Sequence, residues 1–287
     1  MKKRIKYAII AAVILLMSIL GVAIVYFFVN DLESVPTEEI KQVCEVKEER
    51  YNGRKVFIIK SKQAQNTEKY ILYFHGGSYV AEISLLHWEF LQNLAIDTNA
   101  TIIVPDYPLT PKYHYTDVFN MIEPMYKKIV EKIDSDKLIV MGDSAGGGMS
   151  LALCEKIGEQ DIPQPSKLIL LSPWLDVRLE NTEILETEKN DKQLNKQALQ
   201  LAGIAYIGDN ESTYLVNPVD GPLDKLKNVI IYTGTYDILN PDVHILEQRA
   251  NEVNVQIQVK EYEGKPHIWL LNSNEAEYQD LINEIEK

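Results

Sequence analysis

The pentapeptide Gly142-Asp143-Ser144-Ala145-Gly146 constrains the fold of this chain more than any other feature. It follows the apolar run Lys137-Leu138-Ile139-Val140-Met141, which reads as a buried strand. It precedes Gly147-Gly148-Met149-Ser150-Leu151-Ala152-Leu153-Cys154, which reads as a helix. A chain can turn from strand to helix in so few residues only if the two backbones nearly touch, so small residues must flank the turn. Gly142 and Gly146 supply that room. The turn then holds the Ser144 hydroxyl clear of the backbone, at the positive end of a helix, as in a nucleophile elbow.

A Gly-x-Ser-x-Gly pattern alone also marks plain turns; its surroundings give it weight. His75-Gly76-Gly77-Ser78 directly follows a second apolar strand, Tyr70-Ile71-Leu72-Tyr73-Phe74. Its glycines leave backbone N–H groups unobstructed, and with the N–H of Ala145 they can bind a developing oxyanion. Val229–Gly234 reads as a further strand, with Asp237 just past its end. Val255–Val259 reads as another, followed by the loop Glu263-Gly264-Lys265-Pro266-His267. The chain order serine, acid, histidine is the one expected for an elbow serine with its partners. Each group lies beyond the carboxyl end of a strand, where open α/β sheets build their sites.

Asp242 is the rival acid. It falls in the first turn of a helix, where a carboxylate stabilises the terminus in any case, so Asp237 is preferred. Among the other histidines, His75 reads as a loop brace, and His87, His114 and His244 as structural. Asp106 and Asp176 read as braces around the site, and Asp143 should point away from the nucleophile. Trp88, Trp174 and Trp269 read as core or pocket lining.

Candidate strands at 55–60, 70–75, 101–105, 137–142, 167–172, 228–234 and 255–262 alternate with candidate helices at 87–98, 117–133, 145–159, 241–253 and 275–286. That alternation predicts a mostly parallel sheet with helices on both faces. Residues 55–287 have the length of one large α/β domain. Residues 177–227 break the alternation, being first polar and then helical and apolar, and read as an insertion. Cys44 and Cys154 lie in unrelated contexts and read as free thiols.

The combination of His75-Gly76-Gly77, Asp106-Tyr107-Pro108-Leu109-Thr110-Pro111, Gly142-Asp143-Ser144-Ala145-Gly146-Gly147, Ser172-Pro173-Trp174-Leu175-Asp176, Asp237 and His267 resembles α/β-hydrolases of the hormone-sensitive-lipase-like esterase group. The likeness runs over roughly residues 50 to 287. It implies a serine carboxylesterase or lipase with Ser144, Asp237 and His267 as its triad and Gly76, Gly77 and Ala145 as its oxyanion hole. It implies no metal and no cofactor. It also implies a helical cap, from residues 177–227, with 31–54 as linker and the cap's other half. The expected substrates are short- to medium-chain acyl or acetyl esters of a small molecule, lipid or carbohydrate. Two departures bear on subgroup and substrate. Ser78 stands where a third glycine is usual, and Pro108 and Lys112 lie where an arginine and a glutamate are often found. Amide hydrolysis or acyl transfer on the same triad stays open. A silent hydrolase fold used as a binding module is the rival from another class, and the intact triad speaks against it.

The first thirty residues pose a separate question. Residues 7–29 carry no charge and are almost wholly apolar. As a helix they would span about 34 Å at ~1.5 Å per residue, enough for a hydrocarbon core of ~30 Å. Lys2, Lys3, Arg4 and Lys6 precede them, and acidic residues from Asp31 onward follow. Residues 1–30 therefore read as a transmembrane signal anchor with a cytoplasmic basic start, and the catalytic domain is expected outside the cytoplasm. A cleaved signal peptide, with Gly21-Val22-Ala23 as its small-residue site, is the competing reading. The net charge of −13, more negative still beyond residue 30, argues against nucleic acid as a partner. The lysine and isoleucine bias points to an AT-rich bacterial genome.

Overall fold

The structure is a computed structural model, and it describes residues 35–64 and 68–287. The transmembrane anchor expected at 1–30 lies outside the described residues. Among the described residues no helix is long and apolar enough to cross a membrane.

In chain order the main elements are α1 (Glu38–Val43), β1 (Cys44–Tyr51), β2 (Arg54–Ser61), β3 (Tyr70–Phe74), α2 (Leu85–Thr98), β4 (Thr101–Pro105), α3 (Tyr115–Val130), β5 (Leu138–Asp143), α4 (Ser144–Glu159) and β6 (Lys167–Leu171). They continue with α5 (Ile184–Thr187), α6 (Lys196–Ile207), β7 (Val229–Gly234), α7 (Asn240–Glu252), β8 (Ile257–Tyr262) and α8 (Tyr278–Glu286). The strands form one sheet in the order β1-β2-β4-β3-β5-β6-β7-β8. β1 and β2, and β2 and β4, pair antiparallel; every later pair is parallel.

This order places the site. After β3 the chain moves outward to β4, then returns to lay β5 on the other side of β3. The strand order therefore reverses between β3 and β5, and a crevice opens at their carboxyl ends. Phe74 pairs with Gly142, so the loop after β3 and the elbow after β5 emerge side by side. The loops after β6, β7 and β8 follow in sequence along the same edge.

Alternate residues of the central strands serve two cores. Leu72, Phe74, Val140, Leu168, Leu170 and Ile231 face one side, with α3, α4 and α6. Ile71, Tyr73, Ile139, Met141, Ile169 and Tyr232 face the other, with α2 and α8. Burial on both faces explains why these strands read as unbroken apolar runs.

One sequence reading is corrected here. The described part of the segment 31–54, from residue 35 on, is not a linker and half a cap: Cys44–Tyr51 is a sheet strand, and α1 buries Ile40 in the core containing Trp88, on the face opposite the cap helix α6. β1 escaped notice because it reads Cys-Glu-Val-Lys-Glu-Glu-Arg-Tyr and only Cys44 is buried. Charged side chains on an edge strand keep it from pairing with another molecule, and they also erase its apolar signal. The signal that could have found it is Asn52-Gly53, whose φ values of 48° and 81° make the two-residue turn joining β1 to β2. The insertion at 177–227 is present and carries α5 and α6. Both cysteines are free and lie in opposite cores, as unpaired thiols.

Candidate active site

Close packing builds the elbow. A Cβ on Gly146 would lie 2.0 Å from the Phe74 carbonyl oxygen, and one on Gly142 would lie 2.4 Å from the Gly146 carbonyl oxygen. Neither position accepts a side chain without moving backbone. Ser144 itself has φ 52°, a left-handed conformation that costs an L-residue of order 1 kcal/mol and persists only where the surroundings enforce it. The enforcing contacts include a hydrogen bond from the Trp174 N–H to the Ser144 carbonyl, 2.9 Å, and one from the Ser150 hydroxyl to the Gly146 carbonyl, 2.7 Å.

The three residues singled out by chain order meet. The Ser144 hydroxyl lies 2.9 Å from His267 Nε2, and His267 Nδ1 lies 2.9 Å from Asp237 Oδ2. A carboxylate only accepts, so Nδ1 carries the proton donated to Asp237, and Nε2 of the neutral ring is free to accept from Ser144. Asp237 is fixed in turn: its Oδ1 accepts from the Leu239 N–H at 2.9 Å. Burial pushes the His267 pKa down, but the charge and hydrogen bond of Asp237, helped by Asp143 and Asp191, outweigh it and hold the pKa above the ordinary value. Asp242 stands apart, accepting from the Asn181 side chain at 3.1 Å.

The oxyanion loop is brought up against the serine. A Cβ on Gly76 would sit 2.9 Å from the Ser144 Cβ. Here one expectation fails. The Gly76 N–H donates to Asp143 Oδ1 at 2.9 Å and is not available to an oxyanion. Among the described residues the N–H groups of Gly77 and Ser78 carry no such bond, and Ala145 lies in the first turn of α4, where helix geometry leaves N–H groups free. Sequence reasoning therefore missed Ser78 as a donor. It also assigned Gly76 a role that the carboxylate of Asp143 has taken.

Asp143 indeed points away from the nucleophile. It collects Gly76 N–H, the Tyr73 hydroxyl at 2.6 Å and His87 Nε2 at 3.2 Å, all buried. Because the Ser84 N–H donates to His87 Nδ1, Nε2 is the donor toward Asp143. Burial raises the Asp143 pKa, but His87 and Tyr73 more than offset it, and the carboxyl is held below its usual range. His75 stacks on Tyr107 with ring centroids 4.4 Å apart and bonds the Gly76 carbonyl; burial, then the neighbouring His87, pushes its pKa down to about 4. It braces the loop as a neutral ring. Asp106 and Asp176 are braces too, each bonded by an arginine: Arg54 at 2.8 Å and Arg178 at 2.8 Å. His114 bonds the Ala205 carbonyl on α6, and His244 is an exposed partner of Glu261. Trp88, Trp174 and Trp269 are all buried.

Two further positioning groups were not legible in the sequence. The Ser172 hydroxyl, at the end of β6, accepts from the Ile268 N–H at 3.0 Å and pins the histidine loop. The Asp191 carboxylate, from the insertion, accepts from the Ile238 N–H at 2.9 Å and grips the acid loop.

Comparison with known proteins identifies the family. Residues 71–271 match the family model of the α/β-hydrolase fold. An esterase of Acinetobacter venetianus is 30% identical over 206 residues, 71% of this chain and 68% of the relative. A triacylglycerol lipase of Mycobacterium tuberculosis is also 30% identical, over 70% of this chain but only 41% of the relative. An acetyl-hydrolase of Streptomyces hygroscopicus is 23% identical over 210 residues, 72% of this chain and 70% of the relative. A crystal structure of a hormone-sensitive lipase from a metagenome library superimposes with a TM-score of 0.79 at 25% identity, covering 85% of this chain and 84% of the other. The chain thus belongs to the α/β-hydrolase family, among the hormone-sensitive-lipase-like esterases and lipases, and is a carboxylic ester hydrolase.

Proposed function

We propose that the protein is a serine carboxylesterase for short- to medium-chain acyl or acetyl esters, working through Ser144, His267 and Asp237 and an acyl-enzyme. The observation that carries this reading is the unbroken hydrogen-bond chain from Asp237 through His267 to Ser144. Ser144 Oγ attacks the ester carbonyl while Nε2 takes its proton. Asp237 keeps the ring in the required tautomer and stabilises the imidazolium that forms. The N–H groups of Gly77, Ser78 and Ala145 receive the negative charge on the carbonyl oxygen. His267 then returns its proton to the leaving alcohol, and water activated by the same nitrogen cleaves the acyl-enzyme.

The preference for small acyl groups is supported by the burial of Ser144 and His267, which are 5% and 4% exposed, and by the likeness to an acetyl-hydrolase. Turnover of p-nitrophenyl esters from acetate to palmitate tests it. A maximum at eight carbons or fewer is expected; a preference for long-chain triglycerides would overturn the size assignment. A matched anilide series separates esterase from amidase. Failure of a fluorophosphonate to label Ser144 would remove the serine mechanism altogether.

The proposal includes a single-pass membrane anchor at residues 7–29, with the catalytic domain outside the cytoplasm. Its support is the length, apolarity and charge flanks of that segment. The full chain should remain with membranes through high-salt washing, and protease added outside intact cells should reach the domain. A shortened soluble product beginning near Ile24 would favour cleavage instead.

A further inference from the structure

The oxyanion loop contains three successive residues with positive φ: Gly77 at 117°, Ser78 at 55° and Tyr79 at 62°. Glycine adopts such a backbone freely. For serine and tyrosine the left-handed region is unfavourable, so the loop needs support from outside itself. Part of that support is backbone. The Val80 and Ala81 N–H groups both donate to the Gly77 carbonyl, and the Thr110 N–H donates to the Tyr79 carbonyl. The rest comes through the Tyr79 ring. Tyr206, on the cap helix α6, stacks on it with centroids 3.6 Å apart and planes 2° from parallel. Trp174 packs against the same ring at 5.4 Å. Tyr79 and Tyr206 are each 1% exposed.

The Tyr206 hydroxyl is buried and has no hydrogen-bond partner among the described residues. An unpartnered buried hydroxyl opposes folding, so what Tyr206 contributes is its ring. The ring spans the insertion and the loop whose N–H groups face the reacting oxygen. We propose that Tyr206 is a positioning residue for ester hydrolysis: by stacking on Tyr79 it holds the Gly77 and Ser78 N–H groups where the oxyanion forms. This rests on the serine-esterase reading given above. The insertion then does more than shape the acyl pocket. It completes the geometry of the transition-state site, where a displacement of ~1 Å can cost ~10²-fold in rate.

A residue that merely lined the acyl pocket would act differently, because its effect would depend on the acyl chain. The full-length protein in detergent, as wild type, Tyr206→Phe and Tyr206→Leu, separates the two on p-nitrophenyl acetate, butyrate and octanoate. Tyr206→Phe keeps the ring and should stay within about twofold of wild type in kcat. Tyr206→Leu should lose roughly 10- to 100-fold in kcat, by the same factor on all three esters and with little change in KM. Thermal melting establishes that each variant is folded at the assay temperature; if Tyr206→Leu is not, Tyr206→Met fills the same space with a flexible apolar chain and is read identically. Wild-type kcat on acetate in the leucine or methionine variant would overturn the proposal. So would a loss that grows with acyl length through KM, or a phenylalanine variant as damaged as leucine. A wild-type protein that hydrolyses none of these esters and takes no fluorophosphonate would instead sink the esterase reading itself.

Discussion

At the elbow, backbone meets backbone; in the insertion, side chains do the holding. Gly146 sits against the Phe74 carbonyl, Gly142 sits against Gly146, and the Trp174 N–H reaches the Ser144 carbonyl. The insertion is attached by the Asp191 carboxylate on Ile238, the Arg178 guanidinium between Asp176 and Asp220, the Asn181 amide on Asp242 and the Tyr206 ring on Tyr79. Backbone contacts leave almost no substitution that keeps the geometry, because every residue carries the same atoms there. Side-chain contacts can be exchanged one at a time. The elbow is therefore built into the frame of the sheet, whereas the contacts of the insertion can change without dismantling it.

The largest effect should come from the elbow itself. Ser144→Ala removes the nucleophile and is expected to lower kcat by on the order of 10⁵- to 10⁶-fold, with labelling by serine-directed phosphonates abolished. Another labelled serine, or retained turnover, would break the contrast at its root.

Asp237→Asn is next. It keeps the shape but supplies an amide that can present the wrong tautomer to His267, and a loss of up to ~10⁴-fold is expected. The pH profile sharpens the test. His267 must be neutral to accept the serine proton, and its pKa lies above the ordinary value of 6.5 because Asp237 outweighs burial. The acid limb of kcat/KM should therefore have its midpoint above 6.5 in the wild type. Without the Asp237 charge, burial prevails and the midpoint should move down. An unmoved midpoint would mean that another group governs that limb.

The smallest effect belongs to Asp242, which holds the Asn181 amide of the insertion. Asp242 is 1% exposed, and one of its oxygens has no partner among the described residues. Burial raises its pKa to about 6; the Asn181 hydrogen bond opposes this, and the nearby Asp176 adds to it. For an acid whose folded-state pKa exceeds its unfolded value, the folded state holds the proton more tightly. Stability is then fullest below about pH 4 and declines as the pH rises through about 6. Asp242→Asn should remove that decline and stabilise the protein by roughly 1 kcal/mol at pH 7, with activity nearly unchanged. Melting temperature against pH for the two proteins decides it. A loss of activity comparable to Asp237→Asn would reverse the assignment of the acid.

Much of this molecule is legible in the sequence because its central strands are buried on both faces. Such strands must be apolar along their whole length, so β3, β5, β6 and β7 announce themselves, and the groups just beyond their ends can be placed. The edge strand β1 is wetted and charged, so it does not. Asn52-Gly53 carried its only clear trace.

The sequence by itself determined the elbow, the serine, acid and histidine, and the alternation of strands and helices. Each follows from local rules: a glycine where backbones touch, an apolar run where a strand is buried, a polar group past its end. Only the tertiary structure decided the rest. It turned the Gly76 N–H to Asp143 and left the N–H groups of Gly77 and Ser78 without a partner among the described residues. It set Ser172 under the histidine loop and Asp191 under the acid loop, and it brought Tyr206 onto Tyr79 across 127 positions of chain. These contacts join residues far apart in sequence, and no local pattern records which hydrogen-bond donor a distant carboxylate will reach first.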